Sequence, residues 1–215
     1  MTEVVKPRRR YDASGRRARA QRTKDEIALA AQRLFLDDGY AGTTIADVAR
    51  EANVSAETIY KAFGSKRALL DAAVTASVRG DTEATPLRRR PAIEAIRQEQ
   101  DPRRQLRMYG DLLAEVNARL APLVRVMREA APGDPDVAAA LSELGENRLD
   151  SMREFASVLA GRGALRSGVS KQEARDALWA LNSPELYELL VLERGWSDRR
   201  YARWIAGQLT AALLD

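Results

Sequence analysis

The chain has 215 residues, 45% hydrophobic and 31% charged, a size and balance ordinary for a soluble globular protein able to bury a core. It contains no cysteine and no histidine, which excludes disulfides, thiolate metal sites, a cysteine nucleophile, and imidazole as ligand or general base. The net charge of +4 is unevenly placed: residues 1–24 carry nine basic groups (Lys6, Arg8, Arg9, Arg10, Arg16, Arg17, Arg19, Arg22, Lys24) against Glu3 and Asp12, a net of +7 that leaves the rest at −3.

Residues 1–22 read as a basic flexible arm, nearly free of large apolar side chains and attracted to polyanions. A solubilising tail is the plainer alternative. The arm lacks the apolar run of a secretory signal, and no later stretch is long and apolar enough to cross a membrane, so a cytoplasmic location without membrane contact is expected. Beyond the arm, apolar residues recur at helical spacing and no segment alternates as a strand does, which predicts an all-α fold.

A first helix opens at Thr23-Lys24-Asp25-Glu26, read as a capping box, and buries Ile27, Ala30, Ala31, Leu34 and Phe35. Gly39 stops it and Tyr40 folds back as the apolar partner. Thr44 caps a short helix over 45–52, Asn53-Val54 makes a turn, and Ser55 caps a second short helix over 56–62 with Glu57 in its first turn. Gly64 ends that helix, and Ser65 starts a connecting helix that runs to about Val78. Helices this short bury their apolar sides only together, through Leu34, Phe35, Ile45, Val48, Ala49, Val54, Ile59, Phe63 and Leu69.

Pro86, Pro91 and the run Arg88-Arg89-Arg90 mark a connector with a short helix over 92–97. Longer helices are expected over 102–120, 122–131, 135–160, 171–192 and 198–214. A Ser170–Glu173 capping box opens the fourth of these, and Pro184 kinks it.

The segment 43–66 is the most informative. Two short helices across a tight turn form the arrangement that lays its second helix in the major groove of DNA. Ile59 and Phe63 point inward, leaving Ala56, Glu57, Tyr60 and Lys61 outward. A small Ala56 permits close approach to a thymine methyl, Glu57 can accept from cytosine N4, and Lys61 can reach guanine or a phosphate. Thr44, Ser55 and Lys66 stand at helix N-termini, where free amides favour phosphate. Residues 25–66 sum to −3, so the arm, through Arg8–Arg10 and Arg16, Arg17 and Arg19, is the expected source of attraction to the backbone or minor groove.

Residues 23–70 resemble the DNA-binding region of the tetracycline-repressor (TetR) family. The matching text is Leu34-Phe35, Gly39-Tyr40, Thr43-Thr44, Ile45, Asp47-Val48-Ala49, Val54-Ser55, Thr58-Ile59-Tyr60, Phe63, Ser65-Lys66 and Leu69-Leu70, with Asn53 where a glycine is usual. The resemblance implies that the helix over 56–62 enters the major groove. It also implies that Thr43, Thr44, Ser55, Thr58, Tyr60, Lys61 and Lys66 supply base or phosphate contacts. Ser183-Pro184-Glu185-Leu186-Tyr187 and Arg194-Gly195-Trp196-Ser197 extend the likeness loosely into residues 80–215, implying a ligand-binding and dimerisation domain.

Homodimerisation through the last two helices is expected, on the stripes Ala174, Leu178, Leu181, Leu186, Leu189 and Tyr201, Ile205, Leu209, Leu213; packing within one chain is the alternative. Polar residues interrupting apolar stripes, Asn117, Arg148 and Asn182, with Tyr109, Leu113, Met127, Met152 and Trp179 beside them, are the candidate ligand residues, internal hydrogen bonding being the plainer reading. No catalytic, metal or cofactor motif is present, so an all-α enzyme is the least favoured class. The expected function is repression: a dimer on a palindromic operator of double-stranded DNA, released by a small-molecule effector. The alternative is a ligand-independent DNA-binding protein acting through protein partners.

Overall fold

The computed structural model describes residues 13–80 and 90–215, and every regular element among them is helical. The helices are α1 (Ala13–Gly42), α2 (Ile45–Glu51), α3 (Ala56–Phe63), α4 (Lys66–Arg79), α5 (Pro91–Gln98), α6 (Pro102–Ala130), α7 (Pro135–Gly161), α8 (Lys171–Leu181), α9 (Pro184–Tyr187) and α10 (Asp198–Leu213).

Thr23 does not start α1. The helix begins ten residues earlier, at Ala13, so residues 13–22 are helical and not a loose arm. Alanine, arginine and glutamine are strong helix formers, and Gln21 Nε2 donates to Asp25 Oδ1 at 2.9 Å, one turn on. The helix breaks at Gly39 (φ 73°), and Thr43 Oγ1 donates to the freed Leu34 and Gly39 carbonyls at 3.1 and 2.9 Å. Tyr40 folds back on Phe35 with ring centroids 5.3 Å apart.

Residues 102–131 form one helix, not two. Pro122 sits inside α6, where a proline costs about 3 kcal/mol. Burial of Leu120, Ala121, Leu123, Val124, Val126 and Met127 around it outweighs that cost, and the carbonyl it leaves unpaired belongs to Ala118, whose side faces solvent. The helix expected over 171–192 does break near Pro184: Ser183 caps α9 by accepting from Leu186 N at 3.3 Å, and a π-helical turn follows at Glu188–Glu193.

Two cores result. One joins Ile27, Phe35, Val48, Ile59, Leu69 and Leu70 of α1–α4 to Leu123, Val126 and Met127 of α6 and Val137 of α7. The other joins Leu106, Tyr109 and Leu113 of α6 to Met152, Leu159, Leu178, Tyr187, Tyr201, Ile205 and Leu209. Helix α6 belongs to both. At Gly110 it touches α10 so closely that a Cβ there would stand 2.6 Å from the Ala202 carbonyl oxygen. No helix among the described residues is long and apolar enough to cross a membrane.

Candidate functional site

The helix-turn-helix is built by local hydrogen bonds. Asp47 N donates to Thr44 Oγ1 at 3.1 Å and Thr44 N donates back to Asp47 Oδ2 at 3.0 Å, closing a capping box on α2. Thr44 Oγ1 also donates to Asp47 Oδ2 at 2.5 Å, and that bond, ahead of those from Arg50 and Thr44 N, holds the Asp47 carboxyl below its ordinary 3.8. The turn places Asn53 at φ 52°, a left-handed conformation that asparagine tolerates better than most residues, and Val54 N reaches back to Ala49 O at 2.9 Å. Ser55 Oγ accepts from Thr58 N at 3.1 Å and lies 2.8 Å from Thr58 Oγ1. Gly64 (φ 83°) closes α3, and Ser65 caps α4.

Helix α3 turns Ile59 wholly inward and leaves Glu57, Tyr60 and Lys61 outward. Tyr60 is 56% exposed. None of the three side chains makes a hydrogen bond or ion pair with a described residue. Around them, Arg50 pairs with Asp47 at 2.7 Å and Arg33 with Glu51 at 2.9 Å, so the α2 charges are partly spent internally. Lys66 Nζ lies 4.2 Å from the centre of the Tyr40 ring, half-buried, and burial lowers its pKa. Burial, ahead of the charges of Asp134 and Asp136, pushes the Tyr40 hydroxyl up to about 12.

A polar cluster lies inside the second core. Tyr109 Oη donates to Met152 Sδ at 3.0 Å and Asn182 Nδ2 to the same sulfur at 3.7 Å. Asn117 Nδ2 reaches Tyr201 Oη at 3.4 Å. Arg148 Nη2 donates to the Trp179 carbonyl at 3.1 Å, its guanidinium lies 5.4 Å from the Trp179 ring, and its Nε is buried without a partner. Desolvation raises the Tyr109 hydroxyl far above its ordinary 10.0 and takes Tyr201 to about 12, so both stay protonated donors at any physiological pH.

A separate solvent-open groove of about 520 Å³ runs between the start of α6 and the end of α10, lined by Arg103, Arg107, Arg203, Gly207, Ala211 and Leu214 among others. None of the residues expected to hold a ligand lines it.

Residues 27–73, which span the helix-turn-helix and most of α4, match the family model described as bacterial regulatory proteins, tetR family. This part of the chain is a TetR-family domain. Curated protein sequences give no significant match. Solved structures do. NalD, the secondary repressor of the MexAB-OprM multidrug efflux pump in Pseudomonas aeruginosa, is 20% identical over 91% of this chain and 98% of its own, with a TM-score of 0.66. The SmeT–triclosan complex is 20% identical over 90% of this chain and 92% of its own, with a TM-score of 0.67. At this identity they establish a shared fold over nearly the whole chain, with an N-terminal helix-turn-helix domain and a C-terminal helical domain.

Within the TetR-family domain the structure sorts the expected contacts. Thr44, Ser55, Glu57, Tyr60 and Lys61 are exposed, and Ala56, Thr58 and Lys66 half-exposed. Thr43 departs from expectation: it is 1% exposed and its hydroxyl is committed to α1 carbonyls, so it latches the α1 break. Arg19 is exposed on α1, while Arg8–Arg10 and the side chains of Arg16 and Arg17 lie outside the described residues.

Of the expected ligand residues, Tyr109, Leu113, Asn117, Arg148, Met152, Trp179 and Asn182 do come together around the second core. Met127 does not; it is fully buried in the first. Glu185 and Tyr201, missed in the sequence, complete the group. Glu185 attracts Arg148 electrostatically, and Asn117, Arg148 and Asn182 each make an internal hydrogen bond, as the plainer reading expects. The stripes assigned to a dimer seam are largely interior: Ala174, Leu178, Tyr201, Ile205, Leu209 and Leu213 are fully buried within one chain, and Leu189 alone of that set is exposed.

Proposed function

We propose that the chain is a DNA-binding transcription regulator, not an enzyme: a cytoplasmic repressor that grips a palindromic operator as a homodimer and releases it when a small molecule enters the C-terminal domain. The observation that carries this is the outward face of α3, where Glu57, Tyr60 and Lys61 stand free of internal partners on a helix whose opposite side is locked by Ile59. Major-groove reading requires such a rigid backbone with uncommitted side chains. Thr44, Ser55 and Lys66 flank it at helix N-termini for phosphate, and Arg19, exposed on the part of α1 that precedes the core, is assigned with Arg16 and Arg17 to the DNA backbone.

Residues 23–70 form the reading head in this proposal, α4 connects it to about residue 79, and 80–215 is the ligand-binding and dimerising part. The dimer seam is the outward face of α8 and α10, not the buried stripes. Arg203, Gly207 and Ala211 succeed one another at four-residue spacing on exposed α10, and small residues there let two helices approach closely. Exposed Trp179, Leu189 and Leu192 are further apolar surface of the C-terminal half. A short helix reads few bases, and two of them about 34 Å apart read a palindrome. Ligand response is supported by the fold shared with SmeT, whose structure holds triclosan.

Selection of bound duplexes from random sequence by the full chain, with light scattering for its mass, tests the reading. A recovered palindrome and a dimer are expected. A monomer that enriches no sequence at low ionic strength refutes it.

A further inference from the structure

Several hydrogen-bond donors in the interior of the C-terminal bundle end on weak acceptors or on none. Tyr109 Oη and Asn182 Nδ2 both end on the Met152 sulfur, and a thioether is a weak acceptor. Asn117 meets a tyrosine oxygen at 3.4 Å, near the limit of a hydrogen bond. Arg148 is half-buried, makes one bond to a backbone carbonyl, and leaves its buried Nε–H with no partner. It forms no ion pair with a described carboxylate. Glu185 supplies the main opposing charge felt by Arg148, but its carboxylate accepts from Ser183 Oγ at 2.7 Å. Tyr109, Asn117, Met152 and Tyr201 are all more than nine-tenths buried, so water does not make up the deficit freely.

A half-buried guanidinium whose Nε–H lacks an acceptor costs stability, and an apolar side chain of similar size would serve packing better. What the cluster lacks is a strong acceptor carrying one negative charge. A dianion such as phosphate fits less well, because Glu185 already places a negative charge beside Arg148. The surrounding wall is apolar: Phe155 packs edge-on against Tyr109 at 4.8 Å, with Leu113 and Met152 beside it. One side of the cluster is formed by the end of α8, α9 and the π-helical turn, a segment pinned by Glu188–Arg128 at 2.5 Å and by Tyr187 Oη donating to Asp198 at 2.5 Å, with Leu189 and Leu192 exposed on its outside. A single-turn π segment is an irregularity often found where a helix serves function more than packing.

We propose that the effector of this protein is a monocarboxylate with an apolar body, its anionic oxygens taking the Arg148 Nε–H and the Tyr109 and Asn182 donors that now end on sulfur. This rests on the ligand-responsive reading above. The α8–α9 junction and the π turn yield to admit it, and the apolar body lies against Phe155 and Leu113. Arg148 binds the ligand and contributes nothing that the empty fold requires.

Melting of the full chain with matched acid and amide pairs tests this: cinnamate against cinnamamide, indole-3-acetate against its amide, decanoate against decanamide. At least one acid should raise the Tm of the wild type while its amide does not. Arg148→Met should raise the Tm of the ligand-free protein by about 2–4 °C and abolish the response to acid. Arg148→Lys should fold and respond weakly, since an ammonium lacks the guanidinium fork.

A fall in ligand-free Tm for Arg148→Met overturns the proposal by making Arg148 a structural residue. So does an acid response that survives in Arg148→Met, a pair whose amide acts as well as its acid, or a wild type that no acid stabilises. The two levels of failure separate in a DNA-release assay on the selected operator. A neutral compound that frees the DNA when no acid does removes the carboxylate and leaves ligand response standing. If no compound of either kind frees it, both fall.

Discussion

Replacing Arg19 and Arg22 by alanine probes the helical extension that precedes the first core residue. Both are exposed, and Arg19 lies eight residues before Ile27, about 12 Å along the axis at 1.5 Å per residue. Alanine preserves the helix, so the loss is of charge alone. If each arginine neutralises one phosphate, a dimer loses four contacts, and the slope of log K against log salt becomes shallower by about 3.6. Between 50 and 200 mM salt, the wild type should then lose on the order of 100-fold more affinity than the variant. Fluorescence anisotropy with the selected operator across that range reads the slope directly. A double variant with unchanged slope and affinity would show that α1 projects away from the duplex and that the reading head binds without it.

Three further outcomes follow from the geometry. Tyr60→Ala should change stability by less than about 0.5 kcal/mol, because the ring is exposed, yet weaken operator binding roughly tenfold or more in anisotropy titrations. Gly110→Ala should destabilise by about 1–3 kcal/mol, since its Cβ meets the Ala202 backbone oxygen at 2.6 Å and a backbone atom has little room to yield; thermal melts check it. Asp47 and Glu173 are both held below their ordinary values by the serine or threonine they cap, so their contribution is complete above 3.8 and 4.5 and is lost as pH falls through the depressed values. A Thr44→Val, Ser170→Ala double variant should show a flatter decline of Tm on acidification over that window.

The reading head was legible because its signals are local. Thr44–Asp47, Asn53, Ser55, Gly64 and Ser65 each act within four residues, and the structure realises every one of them as a cap, turn or stop. The α1 start was misread because Thr23–Glu26 has the text of a capping box inside a segment whose alanines and arginines carry the helix past it. Pro122 was misread because a proline's local cost is visible in sequence and the burial that offsets it is not. The C-terminal cluster was half legible. Polar residues in apolar stripes pointed to Asn117, Arg148 and Asn182, but Met127 shares their spacing and belongs to the other core, while Glu185 and Tyr201 arrive from helices whose docking no period encodes. The dimer stripes failed for a related reason, since an apolar stripe marks burial and does not say against what.

Helix α6 gives the two halves a shared rigid part. Tyr109 and Asn117 lie in the polar cluster and Leu123, Val126 and Met127 in the core of the reading head, on one unbroken helix. Helix α4 is held at both ends, to α7 near its start and to α6 near its end. Arg67 bonds the Asp136 carbonyl and pairs with Glu143 at 2.7 Å near its start, and Arg119 of α6 donates to the Ser77 carbonyl at 2.9 Å near its end. A ligand changes DNA affinity only by favouring one arrangement of these contacts over another. A carboxylate drawn to Arg148 does so if seating it moves α6 or α7 against α4, because the Arg67 and Arg119 bonds then either carry α4 along or break. Removing both clamps, by Arg67→Ala with Arg119→Ala, should therefore leave ligand binding by melting intact and uncouple it from DNA release. Full ligand-driven release in that variant would mean the signal reaches the reading heads by another route, such as a change in the dimer seam.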